Sequence, residues 1–232
     1  MLTIRSPQYR AFQEQMESDF ARKLRIALAG KYPRVLPRFP EAVQERIVSN
    51  MLGRAGTWGI TWQSSLVTFA ELMLAIAPNF DEQHHIRTAL GLKWLGADRV
   101  MQSILERVPE EAWTAAEASG DDLPLFVPPE LLNASPIEQT TDAIVLVLWD
   151  FSERMDPRRL AVDAHDLAKS LNLAEVRDAP LTLAVWQMLY GPTFRDPRVN
   201  PWVNDVFGAS RTPREIVAML KSRIALDHGR MV

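Results

Sequence analysis

At 232 residues, 47% hydrophobic and 24% charged, the chain has enough apolar material for one large domain or two small ones. Its formal net charge of −3 is too small to point to nucleic acid or an anionic membrane as a partner. The absence of cysteine excludes disulfides, thiolate catalysis and Cys-ligated zinc.

Helix starts are marked repeatedly along the chain. Proline fits the first helical turn, where its missing N–H would have had no partner. A Ser, Thr, Asp or Asn just before it can accept a bond from a free backbone N–H. Ser6-Pro7, Ser135-Pro136, Asp156-Pro157, Asn200-Pro201 and Thr212-Pro213 all carry this pair ahead of helical apolar spacing. The first helix is expected over residues 7–29, stopped by Gly30, with Phe12, Met16, Phe20, Leu24 and Leu28 along one stripe. The second is expected over residues 40–54, with Val43, Ile47 and Met51 inward. WGITW, residues 58–62, reads as a connector. A buried helix over 65–77 follows, then helices over 84–95 and 97–108. Residues 109–135, PEEAWTAAEASGDDLPLFVPPELLNAS, read as a linker: Gly120-Asp121-Asp122 is turn-forming, and Pro124, Pro128 and Pro129 interrupt helix. Within it, Leu125, Phe126 and Val127 are expected to dock as an extended piece. Further helices are expected over 136–155, 157–171, 179–190, 201–207 and 213–226. The β-branched runs are short, and residues 143–149 lie inside a capped helical stretch, so no strand is expected. The fold class is therefore all-α: a multi-helix bundle of two similar helical halves packed together, 1–108 and 136–232, joined by the Pro/acidic linker 109–135.

The two halves echo each other. VTFAELMLAIAPNF (67–80) and LTLAVWQMLYGPTF (181–194) align without a gap, pairing Thr68 with Thr182, Ala70 with Ala184, Pro78 with Pro192 and Phe80 with Phe194. Each is an apolar helix stopped by Pro-x-Phe and followed by a charged loop. Tandem similar units mark scaffolds more often than active sites.

Chemistry is sparse. The four histidines are His84, His85, His165 and His228. His165-Asp166 resembles the doublet of HD-family phosphohydrolases, in which neighbouring His and Asp hold a divalent ion that activates water. His84 or His85 would then be the first ligand and Asp178 or Asp205 the last. The same doublet also reads as a solvent-facing pair on a helix whose core face is Leu160, Ala161, Ala164 and Leu167. The DEQHH cluster, residues 81–85, combines carboxylates with histidines, but adjacent helical residues point about 100° apart. Asp81 or Glu82 would serve there as capping or first-turn charges. The second copy of the echo has Arg195, Asp196 and Pro197 at this place, so it repeats no ligand set. The chain contains no G-x-S-x-G, no GxxxxGK[ST] and no GxGxxG. No catalytic, cofactor-binding or metal-ligating residue is assigned, and no enzyme activity or cofactor is expected.

Seven tryptophans remain: Trp58, Trp62, Trp94, Trp113, Trp149, Trp186 and Trp202. Trp149 and Trp186 read as core. Trp58, Trp62 and Trp113 fall in or near connectors and are the candidate partner-binding residues, since tryptophan is enriched at binding hot spots. Charge is divided as well: residues 1–50 hold nine Lys/Arg against five Asp/Glu, and residues 117–232 hold twelve against seventeen. The N-terminus has no apolar h-region and the longest apolar run, 143–149, is too short to span a membrane. A cytoplasmic protein is expected, with no membrane and no nucleic acid among its partners.

Two stretches carry a family resemblance: IRSPQYRAFQEQMESDFARKLRIAL with GITWQSSLVTFAELMLAIAPNF, and GPTFRDPRVNPWVNDVF. They resemble small helical proteins encoded beside spike, tip and effector genes of bacterial type VI secretion systems. In that group an opening I-R-x-x-Q…F helix precedes GIT…LM…GP-x-FD…PW. This chain departs by carrying Pro-x-Phe twice, and by having His84-His85-Ile86 where the group has Pro-Trp. The resemblance implies a non-enzymatic binding protein, an adaptor or chaperone whose partner is an effector, toxin or spike component. The alternatives are an immunity protein that neutralises a cognate toxin, for which an acidic half would suit a basic partner, and the HD-like hydrolase.

Overall fold

The computed structural model describes residues 6–92, 95–191, 193–208 and 210–228, with side chains from residue 15 onward except those of 152–154. Pro192 and Trp94 lie outside the described residues. The fold is all-α, with no strand among the described residues. No described helix is long and apolar enough to cross a membrane. The chain divides into two compact units, Met1–Gly120 and Asp121–Val232.

Unit 1 comprises α1 (Ser6–Lys31), α2 (Glu41–Thr57), α3 (Gln63–Ala75), α4 (His84–Leu90), α5 (Ala97–Gln102), α6 (Ile104–Arg107) and α7 (Glu110–Ala118). α2 packs against both α1 and α3. The core between them holds Leu28, Ile47, Met51, Phe69 and Met73, all essentially without solvent exposure. The expected stripe on α1 is buried only at Leu24 and Leu28, whereas Met16 is 50% exposed. An i+4 repeat advances about 40° per step on a helix of 3.6 residues per turn, so Met16 lies roughly 120° around the helix from Leu28. Phe12 lies outside the described side chains. The helix expected over 97–108 is broken at Ser103 into α5 and α6.

Unit 2 comprises α8 (Leu123–Phe126), α9 (Pro136–Val147), α10 (Pro157–Ser170), α11 (Ala179–Tyr190), α12 (Val203–Val206) and α13 (Pro213–His228). α11 packs against α9, α10 and α13, and every residue from 179 to 186 is buried. A helix that is apolar all round needs such covering on several sides. Three of the expected caps form. Ser135 Oγ accepts from the Glu138 amide while the Glu138 carboxylate accepts from the Ser135 amide. Thr212 and Glu215 repeat that exchange ahead of α13. Asp156 accepts from the amides of Arg158 and Arg159. Asn200 does otherwise: its side chain donates to the Phe194 carbonyl, and the helix expected from Pro201 shrinks to α12.

The stretch 109–135 is not an open linker. α7 buries Ala112 and Ala116 in unit 1. α8 buries Leu123, Pro124, Leu125 and Phe126 in unit 2 as helix, not as an extended piece. The division between units falls inside the stretch, after Gly120. The prolines there open short helices: Pro109 is the residue before α7, and Pro124 sits in the first turn of α8.

Candidate functional site

The site assembles where α2 ends. α2 closes with a Schellman turn: the Ile60 amide reaches the Ala55 carbonyl and the Gly59 amide reaches Gly56. Gly59 adopts φ 78° to make it, a conformation open to glycine and strained for other residues. The turn drives Ile60 inward to 3% exposure and sends Thr61 and Trp62 across the start of α3. α3 has no cap of its own. The Asp98 carboxylate supplies one from a distant point of the chain, accepting from the Thr61 amide at 3.0 Å, the Trp62 amide at 2.9 Å and the Thr61 hydroxyl at 2.8 Å. Burial alone would raise the Asp98 carboxyl; these donors outweigh it and hold it below its ordinary value.

The result is an open groove of about 700 Å³ between α1, α2 and the start of α3. Phe20, Ala21, Leu52, Ile60 and Leu66 give it an apolar lining, and Glu17, Ser49 and Thr61 a polar one. Trp62, next to Thr61, is 47% exposed. Pockets of this size, apolar with a few polar groups, are the usual form of a binding site.

The other two candidate tryptophans are placed differently. Trp58 is half-buried, and its indole N–H donates to Asp81 at 2.7 Å. Trp113 is half-buried and stacked on Phe80, ring centroids 6.3 Å apart. Of the three, Trp62 alone is exposed. Trp186 is core as expected, but Trp149 is 43% exposed: α9 stops at Val147, and Trp149 opens a 3-10 turn.

The DEQHH cluster separates into structural roles. Asp81 is 3% exposed and Arg54 4%. Arg54 grips Asp81 through Nε at 2.9 Å and Nη2 at 2.8 Å, and Nη2 also reaches Glu82 at 2.9 Å. Burial would lower the Arg54 guanidinium, and the two carboxylates more than reverse this. The cap on α4 is Gln83, not Asp81 or Glu82; its side-chain oxygen accepts from the amides of His85 and Ile86. His84 and His85 are exposed, their rings edge to face.

In unit 2, His165 is half-buried with Nε2 3.1 Å from the Thr140 hydroxyl. Burial holds its imidazole below the usual value. Asp166 is exposed and pairs with Lys169 at 3.3 Å. Asp178 is buried against Lys221, and Asp205 is exposed. Among the described residues no group of three or more His, Cys, Asp or Glu is placed to hold a metal ion.

Phe194 and Trp202, from the GPTF…PW stretch, pack around Trp186. Trp186 lies 5.7 Å from Phe194, 4.5 Å from Trp202 and 4.0 Å from Tyr190 by ring centroids. The echo holds locally: Phe80 and Phe194 are both buried, and the amide of each bonds the carbonyl three residues earlier. The following residues diverge, Asp81 turning inward to Arg54 while Arg195 lies exposed with its guanidinium 5.9 Å from the Phe207 ring.

Sequence reasoning missed Arg54, Asp98 and Lys221 altogether. Each acts on a partner between about 27 and 99 residues away, and nothing local to any of them marks the partner. No family model, no curated protein and no solved structure matches the chain.

Proposed function

We propose that the chain is a non-enzymatic binding protein, an adaptor or chaperone for an effector or spike component of a type VI secretion apparatus, and that it binds through the unit 1 groove. The observation that carries the binding reading is the apolar groove, whose lining residue Thr61 is followed directly by the exposed Trp62. Tryptophan is enriched at binding hot spots. The secretion assignment rests on the two resembling stretches, one of which supplies groove residues Phe20, Ile60, Thr61 and Leu66.

The test is affinity capture of the chain from its host, followed by mass spectrometry, in parallel with Ser49→Arg and Trp62→Ala. Recovery of a spike or effector component with the wild type, and its loss with both variants, is the expected result. Recovery of only this chain, or equal capture by the variants, sinks the reading. A captured toxin whose activity the chain blocks would replace the chaperone role with immunity.

A further inference from the structure

We infer that the carboxylate–cation cluster around Asp121 is a proton-operated latch: its protonated form holds residues 121–126 onto unit 2, and loss of the proton loosens them. Asp121 is 6% exposed. Its Oδ1 accepts from the Leu123 amide at 2.9 Å, which fixes the first turn of α8, and its Oδ2 lies 3.5 Å from Arg177 Nη1. Asp178 accepts from the Asp122 amide and from the Lys221 ammonium. Lys221 Nζ also reaches Asp122 at 2.6 Å. The segment at the start of unit 2 is thus tied to the residues before α11 and to α13. Asp122, Asp178 and Arg177 face it from the loops, and Lys221 from α13. α9 contributes the neutral Gln139, which accepts from Arg177 at 3.4 Å.

A carboxylate removed from water beside a second carboxylate favours its neutral form. Burial, with Asp178 acting in the same sense, pushes the Asp121 carboxyl up to about 7 against the pull of Arg177, the Leu123 amide and Lys221. The proton is therefore exchanged near neutrality, where ordinary aspartates are fully ionised. Leu123, Leu125, Phe126 and Val127 are buried and keep the segment anchored in both forms. What the proton changes is how often the segment opens. Any opening that returns Asp121 to water releases the proton it holds in the closed form, so raising the pH favours opening.

The test is hydrogen–deuterium exchange on the full chain from pH 5 to pH 8.5, read on a peptide covering residues 119–127 and corrected for the intrinsic pH dependence of amide exchange. The opening constant is expected to rise about tenfold per pH unit between about pH 5 and 7 and to level off above. Asp121→Asn should be flat over the same range, and peptides from α10 should show no matching step. The latch is overturned by a flat wild-type profile, by the same step in Asp121→Asn, or by a uniform change across unit 2. Should Asp121→Asn fail to fold, Arg177→Gln must shift the step to higher pH, and an unmoved step also overturns it.

Discussion

Arg54 on α2 and Asp81 beyond α3 meet in the interior of unit 1 through two guanidinium nitrogens, Nε and Nη2. With Trp58 on the same carboxylate and Glu82 on the same guanidinium, the pair ties the end of α2 to the turn that follows Pro78. A buried ion pair is weak evidence for added stability, but removing one partner leaves an uncompensated charge. Arg54→Met should therefore cost about 3–5 kcal/mol by urea unfolding. Arg54→Met with Asp81→Leu should recover part of that loss, because no buried charge is then left alone.

Lys221 obeys the same arithmetic in unit 2. Burial would depress its ammonium, but Asp122 and Asp178 raise it above its ordinary value. A cation raised in the folded state contributes stability that is complete below its unfolded value and is lost as pH climbs through the higher folded one. Lys221→Met should cost about 3 kcal/mol at neutral pH. The gap between variant and wild type should begin to narrow only in strongly alkaline solution, as followed by denaturant melts across pH.

Asp121 works in the opposite direction to an ordinary paired carboxylate. Its folded value, about 7, lies above the unfolded one, so its contribution is fully present below about pH 4 and is lost as pH rises toward 7. Asp121→Asn removes that slope. The variant should equal or exceed the wild type in stability at pH 8, with the advantage vanishing at pH 5, in calorimetry at the two pH values.

Gly59 carries the turn that presents Ile60 to the groove. At φ 78°, a Cβ costs about 1–2 kcal/mol, although no atom stands within 4 Å of where it would go. Gly59→Ala should lower the thermal midpoint through backbone strain alone, whereas Gly56→Ala, at a helical position on the same turn, should not.

The groove itself can be blocked without harming the fold. Ser49 and Trp62 are exposed, and exposed substitutions usually stay within about 0.5 kcal/mol. Ser49→Arg and Trp62→Ala should leave the unfolding curve in place while lowering capture of the partner.

What the sequence made legible was local. Capping at Ser135, Asp156 and Thr212 needs only three or four neighbouring residues, and α11 was readable to the residue because its apolar run is bounded by Asp178 and Gly191. The misreadings have separate local causes. Proline and Gly-Asp clusters mark the start of a short helix as readily as a linker, so 109–135 reads as a linker with one extended docking piece although α7 and α8 lie within it. Trp149 looked buried because its neighbours were, but the change from α to 3-10 geometry after Val147 re-aims the side chains beyond it. The groove was illegible for a different reason: its shape depends on Asp98 reaching back to α3, a distant pairing that no spacing rule encodes.

α11 has one more consequence. Its residues 179–186 are covered on every side, and part of that cover is α13, which starts only at Pro213. During synthesis the apolar segment leaves the ribosome before its last covering helix has been made. For that interval a run containing Leu181, Leu183, Val185 and Trp186 stands open to any other apolar surface in the cell. Chains stopped between α11 and α13 should therefore aggregate more readily than the full chain.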